Sequence, residues 1–138
     1  TYKHLERTMS TITVPSNPTA NDARELGKQI RDEKFNELKE RILDIIDDQI
    51  VIMIDHGLTE GQIDIRYDKG PSWHCKCVGA NPVMYLMVYI PGDATLLERM
   101  AAKIDEHYTG RGYEVSDAEW SFSFGTSGKD YYENSIHW

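Results

Sequence analysis

The longest periodic hydrophobic pattern in the chain is helical and lies toward its N-terminus. Apolar residues there recur mostly at spacings of three and four, as on one face of an amphipathic helix. Thr19 and Asp22 have the spacing of a capping box, which predicts that the helix begins at this point. The run Ile50–Ile54 could instead be a buried strand. We assign it to the helix, because the apolar stripe continues into it and Gly57 follows where a C-cap belongs.

The hydrophobic period changes to two after Gly61, which is the pattern of β-strands. Residues 63–68 alternate apolar and charged side chains, as in a strand that is buried on one face. The turn sequence DKGPS leads to a second strand from Trp73 to Val78, so the two strands are interpreted as an antiparallel hairpin. Residues 83–90, VMYLMVYI, are apolar on both faces. They predict a central strand with helices on one side and a further cover, such as another subunit, on the other.

The C-terminal part of the chain predicts a second helix and further strands. Asp93 is placed to cap a helix whose clean apolar stripe ends at Gly110 and Gly112. A strand is expected from Tyr113, WSFSF alternates like a half-buried strand, and the tail YYENSIHW is expected to form an edge strand. The predicted fold class is α+β: a long N-terminal helix, a three-stranded antiparallel meander, a second helix and one or two closing strands, in the order helix-β-β-β-helix-β.

Residues 1–18 are predicted to form an extended arm, and residues 19–138 a single α+β domain. The arm contains the strand-prone sequence TITV, and Pro15 and Pro18 prevent a helix across it. Such a segment commonly docks by adding a strand to an exposed sheet edge, here of the same domain or of a neighbouring chain. A terminus that nothing holds is the alternative. The candidate partner-binding residues of the arm and the aromatic tail are Thr11, Ile12, Thr13, Val14, Tyr131, Tyr132 and Trp138.

Composition and charge restrict the kinds of partner. The chain is 40% apolar and 28% charged, as expected of a globular protein. Its longest apolar run falls far short of the ~18 residues of a membrane span, and TYKHLERTMS lacks the apolar core of a secretory signal. We therefore expect an intracellular protein without membrane contact.

The formal charge of −8 opposes direct binding to nucleic acid. The acidic stretch 114–138 either meets a basic partner or is merely solvated.

The segment WHCKCVG, residues 73–79, raises the question of metal or thiol chemistry. Cys75 and Cys77 are two apart in a predicted strand and share a face, at about 6.6 to 6.8 Å, the outer limit for a disulfide. A structural zinc site generally needs a second pair of ligands, which the chain lacks. His74 is aimed at the opposite face. We interpret the cysteines as small hydrophobic residues packed beside Trp73 in the core.

The remaining histidines are also given structural roles. His56 and His107 lie in the last turns of the two predicted helices, where a cation interacts favourably with the helix dipole. No nucleophile elbow, catalytic Cys-His signature or phosphate-binding glycine loop is present. The sequence therefore predicts no catalytic residue, no cofactor and no metal site, and we expect a protein that is not an enzyme.

Several motifs resemble those of short acidic α+β proteins of tailed bacteriophages. They are the helix opening Ala23-Arg24-Glu25-Leu26, the segment Gly112-Tyr113-Glu114-Val115 after a helix, and the terminal Ile136-His137-Trp138. The likeness implies a viral origin, while fold-level likeness transfers no particular function. The proline-bearing arm and the turn Asp68–Ser72 depart from that family.

Three functional hypotheses follow from these observations. The first is a non-enzymatic accessory structural protein of a phage particle, in its head, neck or tail. It would be an oligomer or part of an assembly, located in the virion and bound to other virion proteins or its own copies. The second is a phage-encoded acidic inhibitor of a nucleic-acid-binding or defence protein in the host cytoplasm. The third is a small hydrolase or nucleotide-binding protein, which requires a pocket that joins His56 to His74.

Overall fold

The computed structural model has an α+β architecture, as predicted. It describes residues 12–80, 83–121 and 131–138, which form two helices and a six-stranded mixed sheet. The elements in chain order are α1 Ala20–Asp55, β1 Gln62–Lys69, β2 His74–Ala80, β3 Val83–Ile90, α2 Ala94–Thr109, β4 Glu114–Val115, β5 Glu119–Ser121 and β6 Tyr131–His137.

The chain forms two compact units, Thr1–Glu37 and Leu38–Trp138, and the boundary between them falls inside helix α1. In the first unit, Ile12, Thr13 and Val14 adopt neither helix nor strand, and Val14 is 54% exposed. Thr11 lies outside the described residues. Docking of the arm on a sheet edge therefore stays a prediction.

Helix α1 begins as its sequence predicts. The Asp22 amide donates to Thr19 Oγ1 at 3.0 Å, and the Thr19 amide donates to Asp22 Oδ2 at 3.0 Å. This reciprocal pair is the capping box, with Asp in the position usually held by Glu. It satisfies backbone N–H groups that no helical carbonyl can reach.

The end of α1 confirms that Ile50–Ile54 is helical. Gly57 has a φ of +78°, and its amide donates to the Ile54 carbonyl at 2.9 Å. The Leu58 amide donates to the Met53 carbonyl at 3.0 Å. These two bonds form a Schellman motif around a left-handed residue, a conformation that glycine adopts without the steric cost of a Cβ atom.

The predicted antiparallel meander of β1, β2 and β3 is wrong in its strand order. Strands β2 and β3 form the antiparallel pair, and β1 lies on the other side of β3, parallel to it, with Ile63 opposite Met84 and Tyr67 opposite Val88. The order across the sheet is β2-β3-β1-β6-β4, and β5 also pairs with β6. Apolar alternation along a strand determines which face of the sheet each side chain occupies, but it does not determine which strands lie next to that strand. Strand β3, apolar on both faces, takes an interior position, while β2, with exposed Lys76, takes the edge.

The tail strand β6 is also interior rather than at an edge. It pairs antiparallel with β1 on one side and with the short strands β4 and β5 on the other. Gly61 and Trp138 extend the β1–β6 pairing through two backbone hydrogen bonds of 3.3 Å. Strand β5 confirms the start of the predicted WSFSF strand, and Phe122 and Phe124 lie outside the described residues.

One face of the sheet is covered and forms the core of the second unit. Helix α2 contacts β1, β4 and β6. Its N-terminus is capped as predicted, since Asp93 Oδ1 accepts from the Thr95 amide at 3.0 Å. Asp47 of α1 connects the two helices. Its Oδ1 accepts hydrogen bonds from the Tyr108 hydroxyl and from Arg111 Nη1, each at 2.9 Å. The buried sheet residues are Ile63, Ile65, Tyr67, Met84, Leu86, Val88, Ile90, Asn134 and Ile136.

Candidate interaction surface

The opposite face of the sheet is open. Side chains alternate between the two faces along a strand, so the strand register identifies which residues share this face. Each described residue on it is half-buried or exposed. We define the open face by these residues: Gln62, Asp64, Arg66, Asp68, His74, Lys76, Val78, Tyr85, Met87, Tyr89, Glu114, Glu119, Ser121, Tyr131, Glu133, Ser135 and His137.

Apolar and aromatic residues predominate in the part of the open face formed by β2 and β3, which also carries His74 and Lys76. Tyr85 is 46% exposed and Val78 is 49% exposed, although they lie opposite each other in the sheet. The His74 ring stacks on Tyr89, with ring centroids 4.6 Å apart and planes inclined by 17°. Exposed apolar side chains of this size, contiguous on a pleated surface, are typical of a contact surface for another molecule.

Arg66 lies near the middle of the open face and stacks on the Tyr131 ring. Its guanidinium carbon is 3.6 Å from the centroid of the Tyr131 ring, which is a close cation–π contact. Its Nε is buried and has no hydrogen-bond partner. The cation is therefore fixed by stacking on an aromatic ring, without an ion pair to a described carboxylate.

Carboxylates dominate the part of the open face formed by β1, β5 and β6. They surround a pocket of about 290 Å³, which we name the carboxylate pocket. Its lining residues are Asp64, Tyr85, Ser116, Asp117, Glu119, Glu133, Asn134 and Ser135. Within the described residues, no Lys or Arg forms an ion pair with any of its carboxylates. Among the described residues, the pocket therefore combines carboxylates that form no ion pair with an exposed aromatic ring.

Hydrogen bonds position two of these carboxylates. Asp64 Oδ1 accepts from Gln62 Nε2 and from the Ser135 hydroxyl, each at 2.7 Å. Glu133 Oε1 accepts from the Ser121 hydroxyl at 2.9 Å. These neutral donors orient the carboxylates without neutralising their charge, so the pocket is preorganised for a cation.

The predicted site residues of the tail are not brought together on one surface. Tyr131 lies on the open face, whereas Tyr132, its neighbour in β6, points to the covered face, where its ring lies 5.0 Å from Trp120. The Trp138 ring makes an edge-to-face contact with Tyr113 at 5.7 Å, and a Cβ at Gly61 would collide with it. All three tail aromatics are half-buried. The described arm residues belong to the other unit, Thr1–Glu37.

The interpretation of the cysteines requires a correction. Cys75 and Cys77 share the covered face, as predicted, but Cys75 is half-buried and Cys77 is exposed, so they are not core residues. The reason is the edge position of β2, because their neighbours Val88 and Leu86 on interior β3 are fully buried. Burial raises the pKa of the Cys75 thiol to about 11 and also raises the pKa of Cys77. Both thiols are therefore protonated, weak nucleophiles at neutral pH.

His56 and His107 lie close to helix ends, and their role as cations that interact with the helix dipole stays a prediction. His56 follows the last helical residue of α1, and its Nδ1 lies 2.8 Å from the carbonyl oxygen of Ile52. His107, in the last turn of α2, accepts from Arg111 Nη1 at 3.3 Å. His74 lies on the open face with Nδ1 2.9 Å from the Ser72 hydroxyl. The carboxylate pocket is lined by neither His56 nor His74.

A second pocket, of about 540 Å³, lies where the loop after α1 meets the end of β6. Its lining residues are Gly57, Leu58, Thr59, Glu60, Gly61, Gln62, His137 and Trp138. In the part of the chain that the structure describes, no group of three or more His, Cys, Asp or Glu side chains could hold a metal ion. Neither described helix is long and apolar enough to cross a membrane.

Comparison with known proteins adds no relative: no family model, curated protein or solved structure matches this chain. The fold and the open face are therefore the basis for any functional conclusion.

Sequence reasoning missed the central residues of the open face. The sequence predicts a further cover on the second face of β3, but it does not identify Tyr85 and Val78 as contact residues, and it gives no indication of the carboxylate pocket. The signal was present in β3, because a strand that is apolar on both faces needs a cover on each. Asp64 and Glu133 are far apart in sequence, and only the pairing of β1 with β6 brings them to one pocket.

Proposed function

We propose that this chain is a non-enzymatic accessory structural protein that works through contacts with other proteins. The observation that carries the proposal is the open face, on which apolar and aromatic side chains remain exposed while helix α2 packs on the other face of the same sheet. A β-sheet of a single globular unit ordinarily exposes polar side chains on its solvated face. A face with Val78, Tyr85, Met87 and Tyr89 is better suited to burial against a partner.

The composition of the open face supports a protein partner in particular. Tyrosine and arginine are enriched at the energetic centres of protein interfaces, because they bury a large area and keep a polar group for hydrogen bonding. Tyr85, Tyr89 and Tyr131 lie in adjacent parts of the face, and Arg66 is stacked on Tyr131. Carboxylates on the same face oppose the phosphate backbone of a nucleic acid. The partner is therefore a protein, and the chain acts as an oligomer or as part of an assembly.

The assembly that we propose is a bacteriophage particle, in its head, neck or tail, which is what the resemblance to acidic phage proteins implies. The arm segment Thr11–Val14 is proposed as a second contact, which adds a strand to a neighbouring sheet edge. Val14 is 54% exposed and adopts neither helix nor strand, which is compatible with such pairing. Both contacts are of the kind that builds an assembly and need no catalytic chemistry.

The experiment that tests this function is quantitative mass spectrometry of particles of the phage that encodes the chain. We expect a fixed copy number in particles that carry the native protein. The double variant Val78→Thr/Tyr85→Ser is expected to fold normally, because both side chains are exposed, and to be lost from particles. Absence of the native chain from purified particles would contradict the proposal.

A matched variant identifies the surface responsible. Val51 and Ile54, on α1, are 54% and 59% exposed and lie one turn apart, so Val51→Thr/Ile54→Thr removes a similar apolar area elsewhere. We expect this variant to be incorporated normally. If it is lost from particles while the open-face variant is retained, the open face is not the contact.

The carboxylate pocket favours one second candidate, an acidic inhibitor of a host nucleic-acid-binding or defence protein in the host cytoplasm. Its unpaired carboxylates could occupy a site built for phosphates. This alternative predicts that the isolated chain binds one host protein with an affinity that falls steeply as salt rises, and that purified particles lack the chain.

A further inference from the structure

We propose that the partner docked on the open face contributes a basic segment, with the side chain of one arginine or lysine seated in the carboxylate pocket against the Tyr85 ring. This inference rests on the proposed function, since it names the chemistry of the partner. It goes beyond that function because the same face could in principle accept a neutral or an acidic protein.

The first argument is the cost of covering charged groups. A partner that covers the open face removes water from Asp64, Glu119 and Glu133, and an unpaired carboxylate that loses its water is strongly destabilising. No described Lys or Arg of the chain is paired with these groups. No described side chain supplies the compensating charge through an ion pair, so our proposal takes that charge from the partner. A neutral partner supplies none.

The same charges oppose a second copy of the chain as the occupant. The carboxylates of the open face are Asp64, Asp68, Glu114, Glu119 and Glu133, and they outnumber its cations, Arg66 and Lys76. Two copies of this face would bring like charges together, which costs affinity. The face is therefore complementary to an unlike, basic surface.

The second argument is the construction of the pocket. Its volume of about 290 Å³ is just below the range for drug-sized ligands, roughly 300 to 1,000 Å³, so it suits one long side chain. Tyr85 is exposed at its wall, where a guanidinium or ammonium can lie over the ring. Arg66 on Tyr131 already shows this contact elsewhere on the face. Arginine and lysine combine the required charge with an apolar stem.

The test uses two fluorescein-labelled synthetic peptides of equal length and identical leucine, glycine and serine content. One carries arginines and the other carries citrulline, the neutral isostere, at the same positions. Fluorescence anisotropy with the full chain is expected to show at least about tenfold tighter binding of the arginine peptide. Equal binding of the two peptides, or no binding of either, would overturn the inference.

Matched variants separate the pocket from bulk charge. Glu119→Gln/Glu133→Gln is expected to weaken binding of the arginine peptide about tenfold, since two carboxylates next to the cation are lost. Asp48→Asn/Glu106→Gln changes the net charge equally on exposed helix positions and is expected to leave affinity unchanged within about twofold. Tyr85→Leu keeps the apolar wall and is expected to weaken binding a few-fold through loss of the cation–π contact. Equal weakening by the two charge variants would show mere bulk attraction and overturn the inference.

Other outcomes identify a different occupant. Sedimentation of the chain alone that shows a dimer, lost on Tyr85→Ser, would assign the open face to a second copy and contradict a basic partner. Incorporation into particles separates this inference from the proposed function. If Glu119→Gln/Glu133→Gln is incorporated normally while Val78→Thr/Tyr85→Ser is lost, the structural function stands and the basic partner is wrong.

Discussion

At the scale of single residues, the most constrained polar contact is the pair Tyr67–Asn134 in the covered face. Both side chains are buried, and the Tyr67 hydroxyl donates to Asn134 Oδ1 at 3.1 Å. The Asn134 Nδ2 group is buried without a partner. Burial also raises the pKa of Tyr67 far above its usual value, so the hydroxyl keeps its proton and donates. The pair thus connects β1 to β6 through one hydrogen bond in an apolar environment.

We predict that removal of one member of this pair costs more than removal of both. Tyr67→Phe leaves Asn134 Oδ1 buried and unsatisfied, which is expected to lower the free energy of unfolding by about 1 to 3 kcal/mol. Tyr67→Phe/Asn134→Leu removes both polar groups and is expected to recover most of that loss. Urea denaturation of the two variants and of Asn134→Leu alone gives the comparison. A double variant that is less stable than Tyr67→Phe would contradict the prediction.

Cys75 predicts a pH dependence of stability. Its pKa is raised by burial from 9.0 to about 11 in the folded chain, although Arg41 nearby acts in the opposite direction. The unfolded thiol therefore loses its proton at a lower pH than the folded thiol. The contribution to stability is fully present below pH 9.0 and is lost as the pH rises from 9.0 toward about 11.

The expected result is a decrease in the free energy of unfolding over this range that is smaller in Cys75→Ala than in the native chain. Buried tyrosines also titrate at high pH, but they are common to both proteins and cancel in the comparison. Urea denaturation at neutral pH and at steps toward pH 11 measures the difference. Parallel loss of stability in the two proteins would show that Cys75 is not the group responsible.

At the scale of secondary-structure elements, both helices end in the same way. Gly57 after α1 and Gly112 after α2 have φ values of +78° and +92°. The amides that follow them, of Leu58 and Tyr113, donate back to carbonyls in the last turn at 3.0 and 3.1 Å. One left-handed glycine after each helix therefore fixes where that helix ends and where the next strand begins.

Gly57→Ala is predicted to be destabilising through its backbone conformation alone. No atom lies within 4 Å of the position that the new Cβ would occupy, so there is no steric clash with a neighbour. A left-handed alanine costs roughly 1 to 2 kcal/mol, and Gly57→Asn is expected to cost less because asparagine tolerates this conformation better. Thermal or urea unfolding ranks the three proteins. An alanine variant as stable as the native chain would contradict the assignment of the Schellman motif.

At the scale of the whole sheet, strand order determines which surfaces are available. Interior β3, β1 and β6 have hydrogen-bonded neighbours on both sides, whereas β2 has β3 on one side and no described strand on the other. The predicted meander would have placed β2 between β1 and β3. The observed order places β2 at the edge of the described strands, where our proposal lets a further strand, such as the arm of a neighbouring chain, pair with it.

Native-state hydrogen exchange distinguishes the two strand orders. In the observed order, alternate amides of β2 have no strand partner and are expected to exchange fast, while most amides of β1 and β3 exchange slowly. In an antiparallel meander, all the amides of β2 would be protected. Uniform protection of β2 in the isolated chain would therefore contradict the strand order or show that another segment covers this edge.

Sequence patterns were sufficient to predict the helices and strands because the signals for these elements are local. The capping pair Thr19 and Asp22, the C-cap Gly57 and the N-cap Asp93 each lie within a few residues of the groups that they satisfy. Alternation along β1 likewise identified its buried side, Ile63, Ile65 and Tyr67. These features depend on the periods of helix and strand, which the amino-acid sequence carries directly.

The sequence by itself thus determined that this is an α+β protein and where most of its elements begin, end and bury a face. Tertiary structure alone decided that β3 lies between β2 and β1, that Cys77 is exposed at an edge, and that Asp64 and Glu133 line one pocket with Tyr85. The physical reason is that the period of a strand fixes the direction of its side chains, whereas its neighbours are chosen by the packing of the whole sheet.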